Sequence, residues 1–186
     1  MPWMREKQMN NLTFDIDTIE NTFAVKLKRN CVVIGLGTAS KSGVCIAKTD
    51  KKNVSLSISF INVDVSKIKD KQQKNELRYS VILEKLQEII TNQEVVVIED
   101  VFYSRNPRTL ILLARIGAIA YTLAKVKKIK TITWLTAVQA RKALGLPCNK
   151  KKVVVQTAFC EKLGLENVMN EDEIDAIILA LNGLIE

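Results

Sequence analysis

From Cys31 onward the chain divides into runs whose hydrophobic spacing changes from element to element. Cys31-Val-Val-Ile-Gly-Leu36 is a continuous apolar run of strand length; Gly37 to Gly43, small and polar, reads as a turn, and Val44-Cys-Ile-Ala47 as a second strand. Val54, Leu56, Ile58 and Phe60 then alternate with Ser55, Ser57 and Ser59, the period of a strand with one wet face. Short turns between these three predict an antiparallel meander. The period next shifts to helical: Leu77, Val81, Ile82, Leu86, Ile89 and Ile90 place a helix from about Gln72 to Ile90. Val95 to Ile98 is apolar at every position, as in a strand buried on both faces. Asn106-Pro107 combines a capping residue with proline at the first helical position, and Leu110 to Val126 is apolar around most of its circumference. With Gly117, Ala118 and Ala120 permitting close approach, that helix is predicted to be buried or at an interface. Thr131 to Trp134 is a fifth strand, followed by helices at Thr136 to Leu144, Lys151 to Leu163 and Asn170 to Leu184. The order predicts an α/β fold with a mixed five-stranded sheet flanked by helices. Residues 1–29 read as an N-terminal extension and 30–186 as one domain.

Composition narrows the chemistry. The 186 residues carry 28 Lys and Arg against 20 Asp and Glu, a formal charge of +8, and no histidine. Without imidazole there is no Ser-His-Asp triad, no Cys-His pair and no His-containing zinc finger, so catalysis must run on carboxylates, Lys, Tyr, Cys or a metal ion. Cys31, Cys45, Cys148 and Cys160 are too widely spaced for a zinc knuckle or redox pair and read as buried thiols in a reducing compartment. Met1 to Asn30 lacks the apolar core of a signal peptide, and Arg115 and Lys125 interrupt Leu110 to Val126 short of the roughly 18 apolar residues of a membrane span. These features predict an intracellular, cytoplasmic protein without membrane attachment. The basic surplus favours a polyanionic partner.

Three acids invite a mechanistic reading. Glu99 directly follows the Val95 to Ile98 strand, at the carboxyl end where ligand crevices of open α/β sheets lie; the alternative is a strand end emerging into water. Asp172 and Asp175 stand three apart on the last helix and therefore on one face. Asn170 with Glu173 forms a capping box, which by itself accounts for acids in a first turn. Asp175, however, shares a row with Ile178, Leu179 and Asn182, so its carboxylate borders the buried side and needs a cation. A divalent metal would supply one. Hard cations take oxygen ligands, and two of them about 3.5–4 Å apart can hold both oxygens of a phosphodiester displacement without any histidine.

The order of elements together with these acids resembles the RuvC family of Holliday junction resolvases, within the ribonuclease H-like superfamily. Val97-Ile-Glu99-Asp-Val-Phe102-Tyr-Ser-Arg-Asn106 is similar to the family's catalytic glutamate motif, and Asp172-Glu-Ile-Asp175-Ala176 to its closing D-x-x-D-A. The turn Gly35-Leu-Gly37-Thr-Ala-Ser-Lys-Ser-Gly43 resembles the first-hairpin motif, except that Gly37 stands where the family carries a metal-binding aspartate. The resemblance implies a ribonuclease H-like sheet of a three-strand antiparallel meander plus two parallel strands. It further implies a homodimer joined through Pro107 to Val126, branched DNA in the form of a four-way junction as partner, and Mg²⁺ or Mn²⁺ held by Glu99, Asp172 and Asp175. Phe102 and Tyr103, with Arg105 in the same loop, would lie near the strand exchange point; Phe102 could equally fill the core beneath the loop. Arg141 or Lys142, and Lys150, Lys151 or Lys152, would hold phosphates. Loss of the carboxylate at Gly37 predicts weak metal binding and little cleavage. Two other readings remain open: a non-catalytic junction-binding protein, and a related nuclease acting on other branched DNA or on RNA–DNA hybrid.

Overall fold

A computed structural model of the protein describes residues 10–38, 41–101, 106–148, 151–165 and 169–186. The chain runs β1 (Asn10–Asp15), α1 (Ile16–Phe23), β2 (Val32–Leu36), β3 (Lys41–Thr49), β4 (Asn53–Asn62), α2 (Lys71–Ile89), β5 (Val95–Glu99), α3 (Pro107–Val126), β6 (Thr131–Leu135), α4 (Ala137–Ala143), α5 (Lys152–Leu163) and α6 (Glu171–Leu184). One mixed sheet has the order β1-β4-β3-β2-β5-β6. Strands β2, β3 and β4 form the expected antiparallel meander, and β5 and β6 add to β2 in parallel.

The sheet has six strands where the periodicity predicts five. The additional one is β1, within the stretch read as an extension, which pairs antiparallel with β4 and sets Leu12 opposite Leu56. Only Leu12 and Phe14 alternate there, too short a pattern to stand out, and pairing along an edge supplies the rest of its stability. Helix α1 follows directly, and its Ile16, Ile19 and Phe23 enter the core, where Phe23 stacks on Phe159 of α5 with ring centroids 5.7 Å apart.

Strand alternation divides the interior in two. Val33, Cys45, Leu56, Val95 and Val97 face α6 with α1, α4 and α5 around it, whereas Ile34, Leu36, Val44, Val96 and Ile98 face α2 and α3. Helix α6 is buried from Glu173 through Leu181 and crosses the centre of the sheet. It lies close because glycines meet it. A Cβ on Gly35 would run into the Ala176 carbonyl and the Ala180 amide, one on Gly43 into the Asp172 carbonyl, and one on Gly183 into Val33 and Val97. On the opposite face, α3 buries Ile116, Gly117, Ala120, Leu123 and Ala124. Although α3 is long and apolar enough to cross a membrane despite Arg115 and Lys125, this face packs into the core. Gly117 serves contact with Trp134 and Ala120 serves the core, so of the three small residues only Ala118 lies outside.

One buried acid fixes the segment after α1, and the backbone of that segment pairs with the chain's end. Glu20 of α1 accepts from Arg29 Nη1 at 2.8 Å, the Leu27 amide at 2.8 Å and Lys26 Nζ at 3.1 Å, while Leu27 bridges to Ile185. The Arg29 hydrogen bond first, and the Leu27 amide second, hold the Glu20 carboxyl down at about 2 against its ordinary 4.5. Because the folded value is depressed, this stabilisation is complete above pH 4.5 and is lost as pH falls toward about 2. The urea midpoint of Glu20→Gln is therefore expected to lie below that of the parent by a constant margin at neutral pH, and the margin to close between pH 4.5 and 2.

Candidate active site

The end of β5 and the start of α6 meet at one edge of the sheet. Glu99 is the last residue of β5, and its Oε2 accepts the backbone N–H of Thr38 at 3.0 Å, while Thr38 Oγ1 donates to the Glu99 carbonyl at 3.4 Å. These bonds hold the turn after β2 against β5. Burial raises the Glu99 carboxyl above its ordinary value, outweighing the Thr38 amide, and the charge of Asp175 adds to the effect. Asp175 is therefore close enough to be felt, and it lines a small recess together with Glu99, Ala137, Ala140, Ile178 and Leu179.

On α6 the capping box is present: Asn170 accepts from the Asp172 and Glu173 amides, and Glu173 returns a bond to the Asn170 amide at 2.8 Å. This cap fixes the helix start, so Asp172 and Asp175 project toward α4 and α5. Cations meet them there. Lys152, at the start of α5, places Nζ 2.9 Å from Asp172 Oδ1 and 3.0 Å from Asp175 Oδ2. Arg141 of α4 donates from Nη2 to Asp175 Oδ1 at 2.8 Å, both side chains being about nine-tenths buried. Burial alone would lower the Lys152 ammonium, but Asp175 and Asp172 hold it above its ordinary value. Arg141 Nε lacks a hydrogen-bond partner among the described residues, and Asp175 Oδ2 has only the Lys152 ammonium, so the buried cluster has spare polar capacity.

Gly37 closes the other side. Its amide donates to the Gly43 carbonyl at 2.9 Å, and a Cβ added there would lie 3.7 Å from Glu99 Oε2 and 3.7 Å from the Gly43 carbonyl, in ordinary contact. A side chain at position 37 would point onto the Glu99 carboxylate. Beside it opens a mainly apolar cleft of about 620 Å³, lined by Thr38, Glu99, Val101, Leu113, Val138 and Lys152 among others.

The structure thus brings Gly37, Glu99, Asp172 and Asp175 to the same end of the sheet from three separate parts of the chain. Arg141, expected to hold phosphate, is instead 6% exposed and serves as the counter-ion of Asp175. Lys152 is likewise engaged, whereas Lys142 and Lys151 are exposed. Phe102, Tyr103, Arg105 and Lys150 lie outside the described residues. Sequence reading missed Thr38 as a positioning partner of Glu99. It also missed the inward turn of Arg141, for which the flanking Ala140 and Leu144, both core residues, are the signal. Among the described residues no group of three Asp, Glu or Cys side chains stands ready to hold a metal ion.

The model of the family of crossover junction endodeoxyribonuclease RuvC matches residues 34–182, from β2 to α6. The chain belongs to the RuvC family. The family is one of junction-resolving nucleases that depend on a divalent metal. Solved structures agree in fold. Thermus thermophilus RuvC in complex with a Holliday junction substrate superposes with a TM-score of 0.54 at 18% identity, over 81% of this chain and 90% of that one. The yeast mitochondrial Holliday junction resolvase Ydc2 gives 0.54 at 13% identity, over 89% of this chain and 82% of its own. No curated protein matches the chain by sequence.

The acids of this RuvC-family chain fit a divalent ion in kind. Glu99 and Asp175 share a recess and Asp172 is joined to Asp175 through Lys152, so three carboxylates stand near two cations, and the Lys152 ammonium is the only donor on Asp175 Oδ2 among the described residues. An ion would have to displace the Lys152 ammonium from between Asp172 and Asp175. Arg141 has a different, structural duty, because removing one partner of a buried ion pair strands the other charge. Arg141→Met is expected to cost about 3–5 kcal/mol in urea unfolding, and Asp175→Asn in the same chain to recover most of it.

Proposed function

We propose that this chain is a homodimeric endonuclease of four-way DNA junctions, using Mg²⁺ or Mn²⁺ and cutting weakly because position 37 is glycine. Glu99, Asp172 and Asp175 would hold the ion, which when bound supplies charge neutralisation to the phosphodiester and acidity to a water. Thr38 orients Glu99, and Lys152 is the mobile countercharge that keeps Asp172 and Asp175 together in its absence. Lys142 and Lys151, with Lys150, would contact phosphates, and Phe102, Tyr103 and Arg105 would face the strand exchange point. The observation that carries this reading is the convergence of Glu99 with Asp175, which shares Lys152 with Asp172, beneath an open direction at Gly37.

A second reading, a protein that binds junctions without cutting them, is favoured by the ion pairs that already neutralise Asp172 and Asp175. Gly37→Asp separates the two. The backbone there accepts a Cβ in ordinary contact, so the variant should fold and add a carboxylate beside Glu99, with a thermal midpoint lowered by their repulsion and recovered when Mg²⁺ is added. Symmetric nicking of a synthetic four-way junction in Mg²⁺ or Mn²⁺ is expected to rise at least about a hundredfold over the parent, a barrier change of roughly 2.7 kcal/mol. Binding without nicking in both proteins supports the second reading, and equal nicking in both shows that position 37 does not limit cleavage.

The dimer is read from α3. Its outer stripe of Ile111, Ala114, Ala118 and Tyr121 is exposed, with Ile111 half exposed, and the two alanines one turn apart permit close helix approach. Two-fold symmetry suits a substrate with two equivalent strands to cut. Ala118→Glu would put a charge on each side of that contact, and size-exclusion chromatography with light scattering is expected to shift from dimer to monomer while the thermal midpoint of the monomer persists.

A further inference from the structure

Helices α2 and α3 pack side by side, and their amino-terminal halves enclose a recess bordered by Ile111 of the proposed dimer stripe and otherwise without a role assigned above. On α2, Lys71, Asn75 and Arg78 recur at helical spacing along one face, with Tyr79 beside them; on α3, Arg108 and Arg115 stand two turns apart. These six residues line a cleft of about 320 Å³. Its polar character is one-sided. Lys71, Arg78 and Arg108 have no carboxylate partner among the described residues, and Arg115 is held by neutral contacts only, donating to the Tyr79 hydroxyl at 3.3 Å with its guanidinium 5.8 Å from the ring centre. Two acids border the adjoining recess that shares Lys71, Asn75, Tyr79 and Arg115: Asp70, which accepts the Gln73 amide at 2.7 Å as the cap of α2, and Glu76, which accepts from Gln72 at 2.9 Å. Four cations beside two carboxylates keep a net positive charge, and an anion relieves the repulsion that remains.

We infer that this cleft is a second phosphate-binding surface, taking the sugar–phosphate backbone of a nucleic-acid strand that passes over the start of α3. Its place in the fold argues for a strand over a small anion. The first turns of α3 separate the two recesses: Leu113 lines the cleft beside Glu99, and the adjacent Leu112 lines the basic one. A backbone with its phosphates near Glu99 on one side of α3 meets Arg108, Arg115, Arg78 and Lys71 on the other. The inference rests on the junction-binding reading and adds to it where the flanking arm is held.

The test uses the full chain, a labelled synthetic four-way junction and a linear duplex of the same length, titrated by fluorescence anisotropy between about 50 and 200 mM salt. Lys71→Gln combined with Arg108→Gln removes two exposed charges outside the acidic cluster. The slope of log affinity against log salt is expected to shallow by about 2, with affinity at fixed salt falling roughly tenfold or more and the preference for junction retained. Should the pair lower the thermal midpoint, K71Q alone is read, with a slope change of about 1. An unchanged slope alongside intact junction preference in the parent overturns the cleft and leaves the functional reading standing. No preference for the junction in the parent overturns both. Thermal stabilisation by inorganic phosphate, or binding to phosphatidylserine vesicles, that is lost in the variant while its DNA slope is unchanged overturns the assignment to nucleic acid.

Discussion

Contact between α6 and the sheet is the constraint on which everything else rests. Helix α6 is buried through its central turns and lies so near β2 and β3 that no side chain fits at Gly35 or Gly43. Close packing of this kind is stiff, because a helix that cannot rise by one methyl group cannot slide or tilt without clash. It follows that the first turn of α6, with Asp172 and Asp175, is held at a set height above the end of β5, where Glu99 emerges. The glycines of the first hairpin thus have two duties. Gly35 and Gly43 admit the helix, while Gly37, one pleat further along, faces the cluster and has room for a side chain it does not carry.

Given that scaffold, electrostatics determines the resting state of the cluster. Three carboxylates brought together in a half-buried pocket repel one another, and the raised Glu99 carboxyl records part of that cost. Arg141 and Lys152 offset most of it, the first as a buried, hydrogen-bonded pair and the second as a flexible ammonium on a helix start. The two are not equivalent. A guanidinium fixed at 2.8 Å between α4 and α6 belongs to the fold, whereas an ammonium whose side chain is 44% exposed can leave. This division lets one set of acids be stable in the free protein while one of its two countercharges stays exchangeable.

Much of the architecture was legible in the chain. The meander, the two parallel strands and the helices from α2 to α6 follow from spacing of apolar residues, and the caps at Asn106 and Asn170 act as their side-chain chemistry requires. Strand β1 was not legible, since Leu12 and Phe14 alone carry its alternation and its pairing partner lies about forty residues away. In the site, the three acids and the vacancy at Gly37 could be named from motifs, and the burial of Asp175 was implied by its row on α6. The identity of the buried cation was not: a metal was the natural candidate, and Arg141 with Lys152 fill that place in the fold.

The sequence by itself determined the sign and kind of chemistry: no imidazole, a basic surplus, acids at a strand end and on a final helix, and a family pattern running from β2 to α6. Such properties depend on local composition and on periods of two or about four residues, which are written along the chain. Tertiary structure alone decided which charges meet. Lys152 reaches Asp172 across twenty residues, Arg141 reaches Asp175 across thirty-four, and the cations of α2 and α3 come to share one cleft. Those pairings depend on helix height and crossing over the sheet, quantities set by packing volumes summed over the whole core, and no local stretch of sequence contains them.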